Sequence, residues 1–441
     1  MKLTVFHAGD GDCLLLSSGD DPPRHVLVDG GRKGTYEKHT RPAIAQIREA
    51  DQSLDVICVS HIDDDHISGI LRLVEDEVDW RRFEFLQSLS PPHGNPPAAK
   101  RPATIGEVWH NGLFRLLGDD LGEVTEGLLE TVATVLAGSS DQTLRDRASE
   151  IDDLATGELS SMELSRRLST EHLDIPLNPR SGGGVMKRGT AAQPATGERV
   201  SLGALEIFVV GPSDDDIEKL RTCWEQWIGT NRDKLEGLHR RMLEDEENLG
   251  TLHPSFVASP LMEAALGEGL GDVTAANLAS LILLVEEGAR RVLLTGDGVS
   301  SEILEGLARH GKLDGSGRIH VDVLKIQHHG ALANVTEDFV KRVTADHYVF
   351  CGNGAHDNPE AEVVEAFARA RLTGIGGSGA LGPSQPFHFW FTSSAATPGL
   401  TLTRQQYMSS LAQTVASLRQ GHEAQMDATF LQEGQFVIAL E

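Results

Sequence analysis

Apolar and polar positions change period along the chain, and each change marks an element. Short apolar runs at Leu3–Phe6, Cys13–Leu16 and His25–Val28, separated by Gly/Asp turns, predict a β-meander. "RPAIAQIREA" (Arg41–Ala50) carries helical spacing. "LDVICVS" (Leu54–Ser60) predicts a buried strand, and "HISGILRLVEDE" opens a helix after it. From Asp119 to Leu173 the period is helical again, and "PLNPRSGGGVMKRGTAAQP" then predicts a flexible, locally basic loop. Ala204–Pro212 returns to strand. Charged amphipathic helices follow from Asp214, with Trp224 and Trp227 as packing residues. After Asn277 strands and helices alternate through "LASLILLVEEGARRVLLTGD", "SEILEGLARH", "VDVLKIQ", "TEDFVKRV", "HYVFC" and "PEAEVVEAFARAR", and "FHFWF" and "FVIAL" close the chain as strands. This order predicts one large α/β domain over residues 1–441, with helical insertions near 113–200 and 213–272.

Charge narrows the partners. The formal net charge is −27, from 66 acidic and 39 basic residues, which repels nucleic acid and anionic membrane at long range. No apolar run reaches the roughly 18 residues of a membrane span. The opening "MKLTVFHAGDGDCLLLSS" reads as strand, turn and strand, because polar residues interrupt it before a secretory core forms. Cys13, Cys58, Cys223 and Cys351 are far apart with no CxxC pair, the usage of reduced thiols in a cytoplasmic protein.

The chemistry concentrates in "VSHIDDDHISG", Val59–Gly69. In the spacing H-x-D-x-D-H, an extended backbone points His61, Asp63 and Asp65 the same way, and His66 turns in as a helix begins. Imidazole and carboxylate together suit divalent cations of hard to borderline character. Without a cation the crowded aspartates repel one another. Capping of the following helix would account for one aspartate, but not for two histidines bracketing the set. Asp297 in "LLTGDG" and the pair His328–His329 in "LKIQHHGAL" end two further strands, and strand ends are where α/β sheets gather reactive groups. Lys325 is expected to share a face with Gln327, with His328 on the other; a twist or bulge of the strand would let it contact an anionic substrate, and otherwise it pairs with a surface carboxylate. Lys100, Arg101, Arg180, Lys187 and Arg188 either line a substrate groove or serve as solubilising charges. His110 in "VWHNG" is a loop histidine and the candidate for an extra ligand; His253 in "LHPS" is a weaker one.

Taken in order, "LVDGG", "SHIDDDHISG", "NLASLILL…LLTGD" and "LKIQHHG" resemble the metallo-β-lactamase superfamily. Within it, the chain is similar to the hydrolase domain of the competence protein ComEC and its soluble relatives. "GDGDCLLL" and "NGAHDNP" also fit. The resemblance covers roughly 1–112, 201–212 and 277–360, and it implies an αββα sandwich with a one- or two-metal centre at one edge. By position, His61 and Asp63 would hold one ion, Asp65 and His66 the second, and Asp297 both. His328 or His329 would complete the second, and Asp29 would brace the metal loop by hydrogen bonding. Two departures stand out. Asp63 replaces a usual histidine, and "GDVTAANLASL" lacks a further ligand histidine, so one ion has fewer ligands and binds weakly. Two divalent ions, Zn²⁺ or Mn²⁺, would activate water, with Asp65 orienting it or taking its proton. The implied activity is that of a phosphodiesterase or nuclease, on DNA or a nucleotide. A lactone or other ester hydrolase, or a non-catalytic subunit whose helical insertions dock a protein partner, are the alternatives.

Overall fold

The computed structural model describes residues 1–112, 160–161, 163–219, 222, 279–373 and 385–440. Two sheets carry the fold. The first contains β1 (Lys2–Phe6), β2 (Leu14–Ser17), β3 (His25–Val28), β4 (Ser53–Val59), β5 (Thr104–His110) and β14 (Gln435–Ala439). The second contains β6 (Arg199–Leu202), β7 (Leu205–Gly211), β8 (Ile282–Glu287), β9 (Arg290–Leu294), β10 (Ile319–Lys325), β11 (Val343–Phe350), β12 (Phe387–Phe391) and β13 (Met426–Phe430). Their orders are β14-β1-β2-β3-β4-β5 and β13-β12-β11-β10-β9-β8-β7-β6. The two ends of the chain meet: β1 pairs antiparallel with β14, Lys2 opposite Ala439.

Alternation along the strands builds three apolar layers. Leu3, Val26, Val56, Cys58, Ile207, Val209, Leu283 and Val323 fill the space between the sheets. Their neighbours of opposite parity face outward. Leu27, Ile57 and Val59 meet the helices Arg41–Glu49 and Asp64–Ser88. Phe208, Leu284, Leu293 and Leu324 meet the helices Ser300–Arg309, Glu337–Arg342, Ala361–Thr373 and Leu402–Arg419 on the other side. The period of two along each strand thus produces an αββα sandwich. Each large aliphatic or aromatic side chain so buried contributes about 1.5–3 kcal/mol.

Parallel pairing sets the position of the site. Pairs β3–β4, β4–β5, β9–β10 and β10–β11 are all parallel. The chain therefore leaves β3 at Asp29, β4 at His61, β9 at Asp297, β10 at His328 and β11 at Asn353, and carboxyl ends of strands form one rim.

Several elements differ from the sequence expectation. "TIGEVWH" is β5, so His110 ends a strand rather than sitting in a loop. The helix Leu402–Arg419 buries only Met408, Leu411 and Val415, a stripe too narrow to stand out in the apolar pattern. The segment expected to be a flexible basic loop is built into the body. Met186 lies between the sheets, Asn178 is fully buried, and Val108 bridges to Leu177. Leu164, Leu168, Leu173 and Ile175 pack with the helices over the first sheet. Much of the expected insertions, including Trp224, Trp227 and His253, lies outside the described residues, as does Cys223. Cys13, Cys58 and Cys351 are free and buried. Among the described residues no helix is long and apolar enough to cross a membrane.

Candidate metal centre

The "DDD" run divides its labour. Asp63 occupies the N-cap position of the helix Asp64–Ser88, yet its side chain makes no capping hydrogen bond. It turns instead to His61, with Oδ1 3.3 Å from Nδ1. Asp64 faces outward to Arg32, 2.9 Å away. Asp65 lies in the first helical turn and points inward, 3.8 Å from His66 Nε2 and 3.2 Å from His329 Nε2. The convergence expected of an extended segment is thus achieved by a helix that starts at Asp64.

Close backbone approach fixes this turn. A Cβ on Gly11 would lie 1.7 Å from the Asp65 carbonyl oxygen, and one on Gly69 would lie 2.0 Å from that of Gly30. Only glycine lets the β1–β2 turn and the "DGG" turn pack so closely on the helix start. Gly30 N–H then donates to the His66 carbonyl at 2.8 Å.

Asp29 is fully buried behind the loop. Its carboxylate accepts from Ser60 N–H at 2.7 Å, from Ser60 Oγ at 2.5 Å and from His66 Nδ1 at 3.0 Å. Holding Nδ1 in this way aims Nε2 of His66 toward Asp297, whose Oδ2 is 3.3 Å distant.

The second sheet supplies the facing wall. Asp297 N–H donates to Ser280 Oγ at 3.3 Å, and Asn334 donates to the Asp297 carbonyl at 2.9 Å. His328 and His329 both have positive φ, 46° and 54°. Two such residues in succession are strained, and the strain throws both rings toward the rim. The His329 ring reaches Asp65, Asp12 Oδ1 at 3.3 Å and Asp297 Oδ2 at 3.7 Å. His328 is a third exposed; its Nε2 is 3.8 Å from Asp297 Oδ2 and its Nδ1 donates to Asn334 at 2.8 Å.

The expectation for Lys325 needs correction. Lys325 is neither surface-paired nor on a shared face with Gln327. It is fully buried, ion-paired with Asp12, donating to the Gly296 carbonyl at 2.8 Å and 3.7 Å from Asp297 Oδ1. Gln327 donates to Ser300 Oγ, because β10 ends at Lys325 and the turn that follows breaks the alternation. His110 stands beside Val59 in register at the end of β5, and its Nε2 bonds Ser161 Oγ at 2.8 Å. It joins none of the metal-capable groups found among the described residues.

Those groups are Asp65–His66–His329, Asp12–Asp297–His329 and Asp12–Asp29–His66, in each of which the donor atoms lie within 4.8 Å of one another. His61 and Asp63 stand next to them, the His61 and His66 rings 5.7 Å apart. Asp12 had no assigned role from sequence. Its signal was an aspartate between a glycine turn and an apolar run, the pattern of a carboxylate carried inside.

The donor set fits divalent cations. His61 Nε2, His66 Nε2 and Asp297 Oδ1 are buried without a hydrogen-bond partner, a costly arrangement unless a cation satisfies them. Electrostatics agree. Burial pushes the His329 imidazole down, but Asp297 and Asp12 override it and raise it to about 10. Burial opposes charge on His66 too, and Asp297, Asp65 and Asp29 lift it well above the usual range. Burial raises Asp12, but Lys325 and His329 bring it down to about 2. Asp297 is likewise held well below the usual carboxylate range, against burial, by His66, His329 and His328. The site demands positive charge, which a divalent cation held by these residues would supply in place of the imidazole protons.

The centre opens into a cavity of about 240 Å³. Asp63, Asp65, Asp297, His328 and His329 line it together with Arg32, Asn353, His356 and Asn358.

Residues 9–140 match the family model of the metallo-beta-lactamase superfamily. The matched stretch contains Asp12, Asp29 and the His61–His66 cluster, and it ends before Asp297 and the 328–329 pair. No curated protein matches the chain.

Proposed function

We propose that the protein is a metal-dependent phosphodiesterase acting on small, nucleotide-sized esters. The observation that carries the proposal is the meeting of Asp65, His66, Asp297 and His329, from both sheets, around buried, unpartnered donor atoms. The match to a superfamily rich in metal-dependent hydrolases supports hydrolysis. The likeness to the competence-protein hydrolase domain supports a phosphodiester.

His61 with Asp63 would hold one ion, Asp65 with His66 and His329 the other, and Asp297 both. We assign His329 rather than His328 because His329 is the buried member, in contact with both Asp65 and Asp12. Two divalent cations, Zn²⁺ or Mn²⁺, supply Lewis acidity and acidify bound water; three carboxylates in the set make Mn²⁺ as suitable as Zn²⁺. Asp65 orients the attacking water and takes its proton. Asp29 fixes the His66 ring, and Lys325 neutralises Asp12 so that two further carboxylates can stay ionised beside it. In the reaction the water oxygen bonds to phosphorus, the ester P–O bond breaks, and the leaving alcohol receives a proton.

A small substrate follows from charge and size. The five basic residues that the sequence offered for a substrate groove are each ion-paired. Lys100 pairs with Glu49 at 2.7 Å, Arg101 with Glu77 at 2.8 Å, Arg180 with Glu107 at 2.8 Å, Arg188 with Glu305 at 3.1 Å, and Lys187 with Asp214. With a net charge of −27, little remains to hold a long nucleic acid. A cavity of about 240 Å³ holds a phosphoryl group and one ring.

The test is metal analysis after reconstitution with Mn²⁺ or Zn²⁺, followed by hydrolysis of bis-p-nitrophenyl phosphate, single- and double-stranded DNA and a lactone panel. Diester cleavage that disappears in Asp65→Ala supports the proposal. Lactone cleavage alone points to the other ester hydrolases, tight metal without turnover to a non-catalytic subunit, and absence of bound metal removes both enzyme readings.

A further inference from the structure

Outside the centre, the helix Ser300–Arg309 that follows Asp297 carries a buried acid. Glu302 is only 3 % exposed, and both of its carboxyl oxygens are buried without a hydrogen-bond partner. Close packing fixes it there. A Cβ on Gly306 would lie 2.0 Å from the Val210 carbonyl oxygen, so helix and β7 touch at the level of the backbone. A Cβ on Gly211 would lie 2.5 Å from Glu302 Oε1 and 2.7 Å from Ile282 Cδ1. The carboxyl is therefore pressed between the ends of β7 and β8 and its own helix.

What it faces is a second acid. Asp216 is also buried, in the first turn of the helical residues 214–219, where the expected second insertion begins. Ser213 N–H donates to Asp216 Oδ2 and Asp216 N–H to Ser213 Oγ, both at 3.1 Å, a reciprocal cap. Ile217 N–H closes the turn on the Ser213 carbonyl at 3.2 Å. The Glu302 carboxyl lies within hydrogen-bonding reach of Asp216. Two carboxylates are both acceptors, so this contact is a hydrogen bond only when one of them holds a proton. The surrounding charges decide which. Lys219 Nζ is 3.5 Å from Asp216 Oδ1, and Arg188 Nη2 is 3.9 Å from Asp216 Oδ2 and 3.1 Å from Glu305 Oε1. Both cations favour charge on Asp216, which leaves Glu302 as the member that keeps the proton. Burial, and then Asp216, push the Glu302 carboxyl well above its ordinary value of 4.5, against the pull of Arg188.

We infer that Glu302 and Asp216 share one proton and form a clasp that ties the start of the insertion near 213–272 to the helix behind Asp297, closed when the proton is bound and open when it leaves. Ser300, at the head of the same helix, accepts from Gln327 at 3.1 Å and donates to the Asn334 carbonyl at 2.8 Å, beside the His328–His329 turn. The clasp thus links the root of the insertion to the second wall of the centre, and it does not depend on which ester the centre hydrolyses.

The test is hydrogen exchange of residues 213–219 in the full chain, read by mass spectrometry between about pH 5 and 9 and corrected for the intrinsic rate. Wild-type protection should fall about tenfold per pH unit above the ordinary glutamate value, because each opening releases one proton. Glu302→Gln keeps a donor at every pH and should hold the segment slow throughout. Glu302→Met has no donor and should leave it fast throughout. The wild type should move from the first behaviour toward the second as pH rises. The imidazoles of the centre are present in all three proteins, so the comparison isolates Glu302. An infrared band of a protonated carboxyl at neutral pH, missing from Glu302→Gln, reports the proton itself. A Met variant as slow as the Gln variant, a wild type that follows the Gln variant at every pH, or the lack of that band overturns the inference.

Discussion

The two sheets contribute to the centre in different ways. The first sheet offers a compact cassette: within seven residues of the end of β4, His61, Asp63, Asp65 and His66 leave for the rim, and Asp29 braces them from the adjacent strand. The second sheet offers isolated groups, Asp297 after β9 and His328–His329 after β10, each fixed by its own hydrogen bonds. The cassette is held by local chain geometry; the opposite wall is held by parallel pairing and by the Lys325–Asp12 pair that reaches across. A centre assembled this way should tolerate damage on neither side, but for different reasons.

The sharpest way to break the comparison is to remove the residue proposed to hold both ions. Asp297→Ala should lower kcat/KM by roughly 10³-fold or more and cut the bound metal, read by steady-state kinetics and metal analysis. Retention of full metal with full activity would show that the cassette suffices alone. Next comes the crossing pair. Lys325→Met leaves Asp12 buried without its counter-charge and should cost about 3–5 kcal/mol in chemical denaturation. Asp12→Asn combined with Lys325→Met should recover a good part of that loss.

A smaller difference distinguishes the two histidines of the second wall. His329→Ala should weaken metal binding by roughly 10- to 100-fold more than His328→Ala, because His329 is buried against Asp65 while His328 is a third exposed. Equal effects would move the ligand assignment.

The gentlest probe is pH. His329 is raised from its ordinary value near 6.5 to about 10. A raised pKa contributes stability that is complete below the unfolded value and fades as pH rises through about 10. The metal-free protein should therefore lose stability between roughly pH 6.5 and 10. Metal affinity should run the opposite way, rising about tenfold per pH unit for each proton displaced across the same window. Calorimetry in buffers of different ionisation enthalpy counts those protons.

The legibility of the sequence follows the same division. The cassette was readable because its residues are contiguous and their spacing has chemical meaning without knowledge of the fold. The αββα layering came from the resemblance to the metallo-β-lactamase superfamily; the continuous apolar runs of β7 and β8 mark buried strands without assigning each side chain to a layer. The helix Leu402–Arg419 was not readable, since only three of its positions enter the core. Neither was the placement of Met186 and Asn178, because a Gly/Pro-rich segment shows no period whether it is free or packed.

What the sequence by itself determined is the kind of chemistry: imidazole and carboxylate concentrated at strand ends of an acidic chain. Which groups meet was decided only in three dimensions. Asp12 and Lys325 are 313 positions apart, and neither carries a local pattern that names the other. Stacking two sheets face to face brings them together and excludes water. In that low-dielectric space opposite charges must pair, and the buried donor atoms of His61, His66 and Asp297 are left without partners, as a cation site requires.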